Sequence, residues 1–402
     1  MNFLFIENSC PLFGHQISGG GLRSTYLIKS LAQIGKVDVI TFAYSDEKSN
    51  IDNCEVIFSK IIANDGYIGQ RNRKNKFRSL LTPWIPETVQ IVSLEKEQII
   101  DKIANSAEYD FIVSRFFEDT IMCGLSKYAN RLILDIDDDP KHKILLYAKR
   151  ESSIFKRIFT ILYAYANDIS VKTLSRRCSL VFYSNKTQRT SRIAKYLPNI
   201  YCSDSIVPLC DYKQTKYNLL FVGNLVYYPN IIGIGHFINC IFPKIKQTIP
   251  EVQLNIIGNG IDEAHLVNWS KIPGINIKGY VDDIIQEYRN CRAVVVPIYH
   301  GAGTAIKVLE AMSYNRPCIS SPYGVRGYDH IFVPGEDYLL GQDADSFAFN
   351  VIALLQSEEL NHTISRNAFK KVKEHLSFEA FDKIVKDSLL EKKSTIDNID
   401  RK

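Results

Sequence analysis

The sequence contains no Cys-x-x-Cys pair, although it has nine cysteines. That absence argues against a zinc knuckle or a dithiol redox site. Nine scattered thiols, an odd number, fit a reducing cytosol better than a disulfide framework. No run approaches the ~20 apolar residues of a membrane span. The start, from Met1 to Glu7, lacks the basic flank and the apolar length of a secretory signal. No low-complexity tract or short repeat is present. No helix-turn-helix or RNA-binding signature appears either, so nucleic acid is not an expected partner.

What remains is ordinary globular material. The chain has 402 residues, 46% hydrophobic and 23% charged. That length suits two or three domains that bury cores without staples. The net charge of +5 is uneven. Residues 1–210 carry 28 Lys and Arg against 22 Asp and Glu; the rest carry 21 against 22. One basic cluster is Arg71, Arg73, Lys74, Lys76 and Arg78, followed by the apolar Leu80, Leu81, Trp84 and Ile85. A second comprises Lys141, Lys143, Lys149, Arg150, Lys156 and Arg157. A charge run is often only a solvated face. Its functional reading is attraction to an anionic membrane surface or acceptor, with Trp84 and its neighbours as an interfacial anchor.

Strand and helix patterns alternate twice. Strands are expected at Asn2–Ile6, Val37–Phe42, Phe111–Ser114, Leu132–Ile136 and Leu180–Tyr183. The grammar restarts with strands at Leu219–Val222, Val252–Ile257, Ile275–Ile277, Ala293–Pro297 and Pro317–Ser320. Helices are expected at Ile231–Ile241, Asp282–Asn290, Thr304–Ser313 and Phe378–Lys392. This is the pattern of two parallel sheets covered by helices. The expected division is an N-terminal domain over residues 1–200, a linker over 201–217 and a C-terminal domain over 218–380. Residues 381–402 form a last helix and tail, expected to pack back on the first domain. Two such domains facing across a cleft would bind ligands at the carboxyl ends of their strands.

The most informative segment runs from Val294 to Met312. An apolar strand leads through His300, Gly301, Ala302, Gly303 and Thr304 into a helix bearing Lys307 and Glu310. Small residues let a ligand approach the backbone, and free N–H groups at a helix start suit a diphosphate. Gly303, Lys307 and Glu310 share one helix face. Lys307 can therefore reach phosphate, and Glu310 a sugar diol. A glycine turn followed by a solvated Lys and Glu is the plain structural alternative. The Walker order of glycines and lysine is absent.

This segment closely resembles the donor-binding motif of the family 4 retaining glycosyltransferases, in the subgroup reading Gly-Ala-Gly-Thr, then Lys, then Glu-Ala-Met. Leu220-Phe221-Val222-Gly223-Asn224 with Tyr228-Pro229-Asn230, Ile256-Ile257-Gly258-Asn259-Gly260, Gly279-Tyr280-Val281-Asp282-Asp283 and Arg316–Ser321 match in order. The resemblance implies the α/β GT-B fold of two doubly wound Rossmann-like domains. It implies a retaining sugar transfer from a nucleotide-sugar donor to a glycan or lipid-linked acceptor in cell-surface polysaccharide biosynthesis, in the cytoplasm or peripherally on the inner membrane face. It implies donor binding by Gly223, Asn224, Gly301, Gly303, Thr304, Lys307 and Glu310, with no cofactor and no required metal.

Two departures stand out. Ala302 occupies the position of a first glutamate, and Asn224 and Pro229 replace an Arg and a Lys. More weight therefore falls on Lys307. On the other side of the cleft the resemblance assigns no secure catalytic residue. Gly20, Gly21 and Arg23 resemble the family's glycine loop and are candidates for the acceptor side or for phosphate. Arg115, at a strand end, and His300 are catalytic candidates, though a lone His at a strand end is commonly structural.

Three rival readings follow. Asp135-Ile136-Asp137 resembles the metal-diphosphate motif of the other glycosyltransferase fold, GT-A. A dinucleotide oxidoreductase would need Gly-x-Gly-x-x-Gly, which Gly19–Ser24 lacks. A GT-B epimerase, or a catalytically silent GT-B protein that binds nucleotide or glycan, remains the other alternative.

Overall fold

The structure, a computed structural model, describes residues 1–13, 19–44, 48–62, 70–137, 139–186, 192–203, 207–213, 215–301 and 306–399. The chain divides into two compact units, Met1–Asn199 with Phe378–Lys402, and Ile200–Ser377.

The first unit runs β1 (Asn2–Glu7), α1 (Gly19–Ala32), β2 (Lys36–Thr41), β3 (Cys54–Ser59), α2 (Gln70–Leu81), α3 (Leu94–Ser106) and β4 (Phe111–Arg115). It continues with α4 (Phe117–Met122), β5 (Leu132–Ile136), α5 (Pro140–Ala148), α6 (Ile154–Arg177), β6 (Leu180–Tyr183) and β7 (Ala194–Tyr196). All seven strands pair in parallel, in the order β3-β2-β1-β4-β5-β6-β7. Parallel strands need helical crossovers, which cover both sheet faces. Both faces of β1 are accordingly buried: Phe3 and Phe5 on one, Leu4 and Ile6 on the other. This explains the continuous apolar runs in the sequence.

The second unit holds β8 (Asn218–Val222), α7 (Tyr228–His236), α8 (Phe242–Thr248), β9 (Gln253–Ile257), α9 (Glu263–Trp269), β10 (Ile275–Gly279) and α10 (Ile284–Asn290). Then come β11 (Ala293–Val296), α11 (Ile306–Ser313), β12 (Cys318–Ser320), β13 (Leu339–Leu340), α12 (Ala344–Gln356) and α13 (Glu358–His375). Its six strands are also parallel, ordered β10-β9-β8-β11-β12-β13. The last helix, α14 (Phe378–Ile399), is counted with the first unit. There Asp382 accepts a hydrogen bond from Ser30 of α1 at 2.7 Å, and Tyr26 meets the rings of Phe378 and Phe381.

Residues 201–217, expected as a linker, lie within the second unit. Arg292 explains the attachment. Its guanidinium sits over the rings of Tyr212 (4.0 Å) and Tyr217 (4.7 Å) and donates to the carbonyls of Tyr212 and Thr215. Arg316 likewise donates to Pro208 O at 2.8 Å. Such arginine-to-backbone ties leave no hydrophobic period, so the sequence pattern misses them.

Each sheet reverses its winding once, between β1 and β4 in the first unit and between β8 and β11 in the second. At such reversals neighbouring crossovers leave in opposite directions and open a crevice beyond the strand ends. The second crevice is shaped by a close approach. Gly258, after β9, has φ +140°, and a Cβ there would strike the carbonyl of Gly223. Gly258→Ala should therefore destabilise the protein by about 2–4 kcal/mol, combining left-handed strain with overpacking. A thermal or urea denaturation midpoint matching the wild type would contradict this.

Candidate functional site

At the first reversal the strand ends carry charge, and the charges are spent on each other. Asp135, the fourth residue of β5, is fully buried. It receives Arg23 Nε at 2.8 Å and Nη2 at 2.6 Å, and Arg115 Nε at 2.9 Å. Asp137 Oδ2 accepts from Arg115 Nη2 at 2.9 Å, and Asp137 Oδ1 from Asn199 Nδ2 at 2.8 Å. Arg115 Nη1 also donates to Ser24 Oγ at 2.9 Å and to the carbonyl of Gly20. Arg23 Nη1 reaches Leu197 O and Asn199 Oδ1. Burial alone would raise the pKa of Asp135, but the two guanidiniums outweigh it and hold the carboxyl below its ordinary value.

This arrangement fixes the parts played by several sequence candidates. Gly20 and Gly21 form the first turn of α1 rather than a free loop. Arg23 and Arg115 are almost wholly buried and engaged with Asp135, Asp137 and backbone carbonyls. All four carboxylate oxygens of the Asp-x-Asp pair accept from arginine or asparagine. Among the described residues, no group of three or more His, Cys, Asp or Glu is arranged to hold a metal ion. Asp138 lies outside the described residues. One feature here escaped the sequence reading. Phe116, just past β4, has φ +57° and ψ +133°, rare for an aromatic residue, with Arg115 over its ring at 4.5 Å.

At the second reversal the charges are less well matched. Gly223 follows the last residue of β8, and Lys307 and Glu310 stand on α11, the helix after β11. A Cβ on Gly223 would come within 2.6 Å of Lys307 Nζ and 3.0 Å of Asn230 Nδ2. The glycine thus makes room for the lysine head, which also lies 5.9 Å from the Phe221 ring. Asn224 is exposed; its carbonyl accepts from Asn230 Nδ2 at 2.6 Å, and its side chain accepts from Val226 N at 2.9 Å.

Burial dominates the ionisation of both α11 charges. It lowers the Lys307 pKa, with Glu310 opposing the shift. It pushes Glu310 up to about 7, against the pull of Lys307 and of the hydroxyls of Tyr201 and Tyr288. Those tyrosines are further residues that sequence reasoning missed. Tyr201 Oη lies 3.0 Å from Tyr314 Oη, and the rings of Tyr288 and Tyr314 stack at 4.5 Å. Tyr201, Tyr288 and Tyr314 come from three separate stretches, and no spacing rule links them. The Tyr288 side chain is fully buried, and burial followed by the Glu310 charge raises its pKa well above the ordinary value.

The remaining candidates sit nearby in the chain. Gly301 has φ +149°, which disfavours any side chain there. Its carbonyl accepts from Tyr323 Oη, and from Arg326 Nη1 at 3.2 Å. His300 is partly buried beside it. Its neighbour Tyr299 meets the His236 ring edge-on at 5.1 Å. Gly303 and Thr304, with Ala302, lie outside the described residues. The structure therefore brings Gly223, Lys307 and Glu310 together, and it sets Arg23 and Arg115 in the other unit's buried network.

Residues 216–357 match the family model described as glycosyl transferases group 1. A curated relative, the uncharacterized 44.6 kDa protein in the cps region of Klebsiella pneumoniae, is 25% identical over 96% of this chain and 99% of its own. Among solved structures, sucrose-phosphate synthase from Thermosynechococcus elongatus superposes with a TM-score of 0.67 at 15% identity, covering 98% of this chain and 99% of that one. Anabaena HepE, solved in complex with UDP and glucose, gives 0.61 at 14% identity, covering 96% and 98%. WaaG, a glycosyltransferase involved in lipopolysaccharide biosynthesis, gives 0.62 at 12% identity, covering 96% and 99%. The chain has the GT-B fold, and its residues 216–357 match the group 1 glycosyl transferases, a match that supports sugar transfer as its enzymatic activity.

Proposed function

We propose that the chain transfers a sugar, with retention of anomeric configuration, from a nucleotide-sugar held at the β8/β11 reversal. The acceptor in this proposal is a glycan or a lipid-linked saccharide of cell-surface polysaccharide assembly, met at the inner face of the membrane. One observation carries it: Lys307 and Glu310 stand together, partly buried, beside a glycine that leaves the lysine head open space. A partly buried ammonium and carboxylate keep hydrogen-bonding capacity that a ligand can use. A nucleoside diphosphate with its ribose diol supplies both. HepE, of the same fold, is solved with UDP and glucose, and WaaG is described as acting in lipopolysaccharide biosynthesis.

In this reading Lys307 offsets the negative charge that grows on the leaving diphosphate as the sugar departs. A preorganised cation in a low-dielectric site stabilises that charge more than it stabilises the ground state. Glu310 accepts hydrogen bonds from the ribose hydroxyls and fixes the donor's register. Gly301, Gly303 and Thr304 complete the proposed phosphate-facing segment, and Gly223 and Asn224 border it. His300 is the proposed catalytic contributor on this side. A catalytically silent nucleotide-binding protein is the second reading. It is favoured by Asn224 and Pro229 standing where relatives carry cations, and by the occupied donors of Arg115.

Lys307→Ala and Glu310→Ala should each weaken binding of the cognate nucleotide-sugar by about tenfold or more, since charge-assisted hydrogen bonds contribute about 1.5–3 kcal/mol. Calorimetry checks this, with far-ultraviolet circular dichroism unchanged; wild-type affinity in either variant would sink the site assignment. A screen of UDP-, GDP- and other nucleotide-sugars by thermal shift identifies the donor to use.

Donor binding should also depend on pH. The proposed diol contacts need ionised Glu310, whose pKa burial has raised to about 7. Affinity should therefore fall with each pH unit below that value, and fall again on the alkaline side as Lys307, its pKa lowered by burial, loses its proton; Glu310→Gln should flatten the acid limb alone. An unchanged acid limb in that variant would remove Glu310 from the site.

Binding and transfer should both survive EDTA, because Lys307 and the backbone do the work of a cation. A strict metal requirement would return weight to Asp135 and Asp137. Anomeric NMR of the first-formed product separates retention from inversion, and a donor that binds but never turns over would favour the silent protein.

A further inference from the structure

Helix α6 is apolar on two faces. Its inward face packs Tyr163, Val171 and Leu174 into the core, with the small or polar Ala164, Ala166, Asn167, Ser170 and Ser175 between them. Its outward face carries Ile154, Phe155, Ile158, Leu162, Tyr165 and Ile169, all exposed, with Phe155 at 82%. Steps of three and four residues align Ile154, Ile158, Leu162, Tyr165 and Ile169 along one stripe. A surface helix normally turns such a stripe toward the core. A contiguous apolar face left in water marks an interaction surface.

The helices beside it extend the surface. Lys76 of α2 lies 5.2 Å from the Tyr163 ring of α6, and Ser170 donates to Pro83 O at 2.6 Å. Those contacts hold α2 and the segment after it against α6, where Leu81 and Trp84 are exposed. Leu80, by contrast, turns in against the core. The two basic clusters of the sequence thus fall on adjoining helices. The side chains of Arg71, Arg73 and Lys74 lie outside the described residues. Lys149, Arg150, Lys156 and Arg157 are exposed. From residue 139 to 177 there are nine Lys or Arg and three Asp or Glu. One of the three, Asp168, already pairs with Lys172 at 2.8 Å and Lys141 at 3.6 Å.

We infer that this face docks on a membrane surface containing anionic phospholipid, with the α6 stripe and Trp84 entering the headgroup region and the lysines and arginines meeting lipid phosphates. Apolar residues flanked by cations are what an interfacial helix uses. A second copy fits less well, because a two-fold contact through this face would set the same cations against themselves. Among the described residues no helix is long and apolar enough to cross a membrane, so α6 lies on the surface. The inference is independent of the donor assignment.

The test is co-sedimentation of the full chain with phosphatidylcholine vesicles, with and without phosphatidylglycerol. The wild type should bind the vesicles with phosphatidylglycerol, less so as salt is raised. It should leave those of phosphatidylcholine alone largely bare. The variant Phe155→Ser/Ile158→Ser/Leu162→Ser should lose about tenfold or more in partitioning, from the apolar area it removes. Lys156→Glu/Arg157→Glu should lose most of the preference for the anionic vesicles. Both variants alter exposed residues and should keep wild-type melting temperature and donor affinity. Absent wild-type binding, or a triple variant that sediments like the wild type, would overturn the inference while donor calorimetry reads the other site separately. A wild-type dimer that the triple variant converts to monomer, with no vesicle binding, would assign the face to self-association instead.

Discussion

Every described sheet strand is parallel, and the central strands are covered on both faces; this constraint organises the molecule. A strand buried on two sides can carry almost no charge along its length. Charge therefore collects at the carboxyl ends, where the sheet order reverses and the covering helices part. Both units obey this rule, with Arg115 and Asp135 at one reversal and Lys307 beside Gly223 at the other.

The two ends use their charges in opposite ways. In the first unit, Asp135 is clasped by two guanidiniums and the remaining donors reach carbonyls and an amide. Such a satisfied network positions strand ends and helix starts but leaves few donors over for a ligand. In the second unit, burial works against both Lys307 and Glu310, and the tyrosine hydroxyls only partly offset it for Glu310. Charges held against burial in this way cost stability, as binding sites commonly do. The Gly223–Gly258 contact keeps that crevice narrow in backbone and open in side chain.

Much of the architecture was legible because parallel strands leave a strong trace. Leu132–Ile136 and Leu180–Tyr183 read as strands and are strands with the same bounds. β3 and β7 were missed, being edge strands whose half-buried residues carry little apolar signal. Helix α6 was missed for a different reason. Its apolar residues lie on an outward stripe as well as on the inward face of Tyr163, Val171 and Leu174, so no single apolar face stands out in its pattern. The residues that hold 201–217 to the second unit are arginines bonded to carbonyls, which no periodicity detects.

By itself, the sequence determined the two-sheet class and the helix that bears Lys307 and Glu310. These are local properties, written in hydrophobic period, in glycine and in i to i+3 spacing. The tertiary structure alone decided which charges meet. It placed Asp135 between Arg23 and Arg115, residues separated by up to 112 positions, and so gave the Asp-x-Asp pair to arginine. It brought Tyr201 and Tyr288 to Glu310, and Gly223 to Lys307. The reason is physical. A buried charge is governed by whatever the fold sets within a few ångströms of it, and that neighbourhood is assembled from strand ends far apart in the chain.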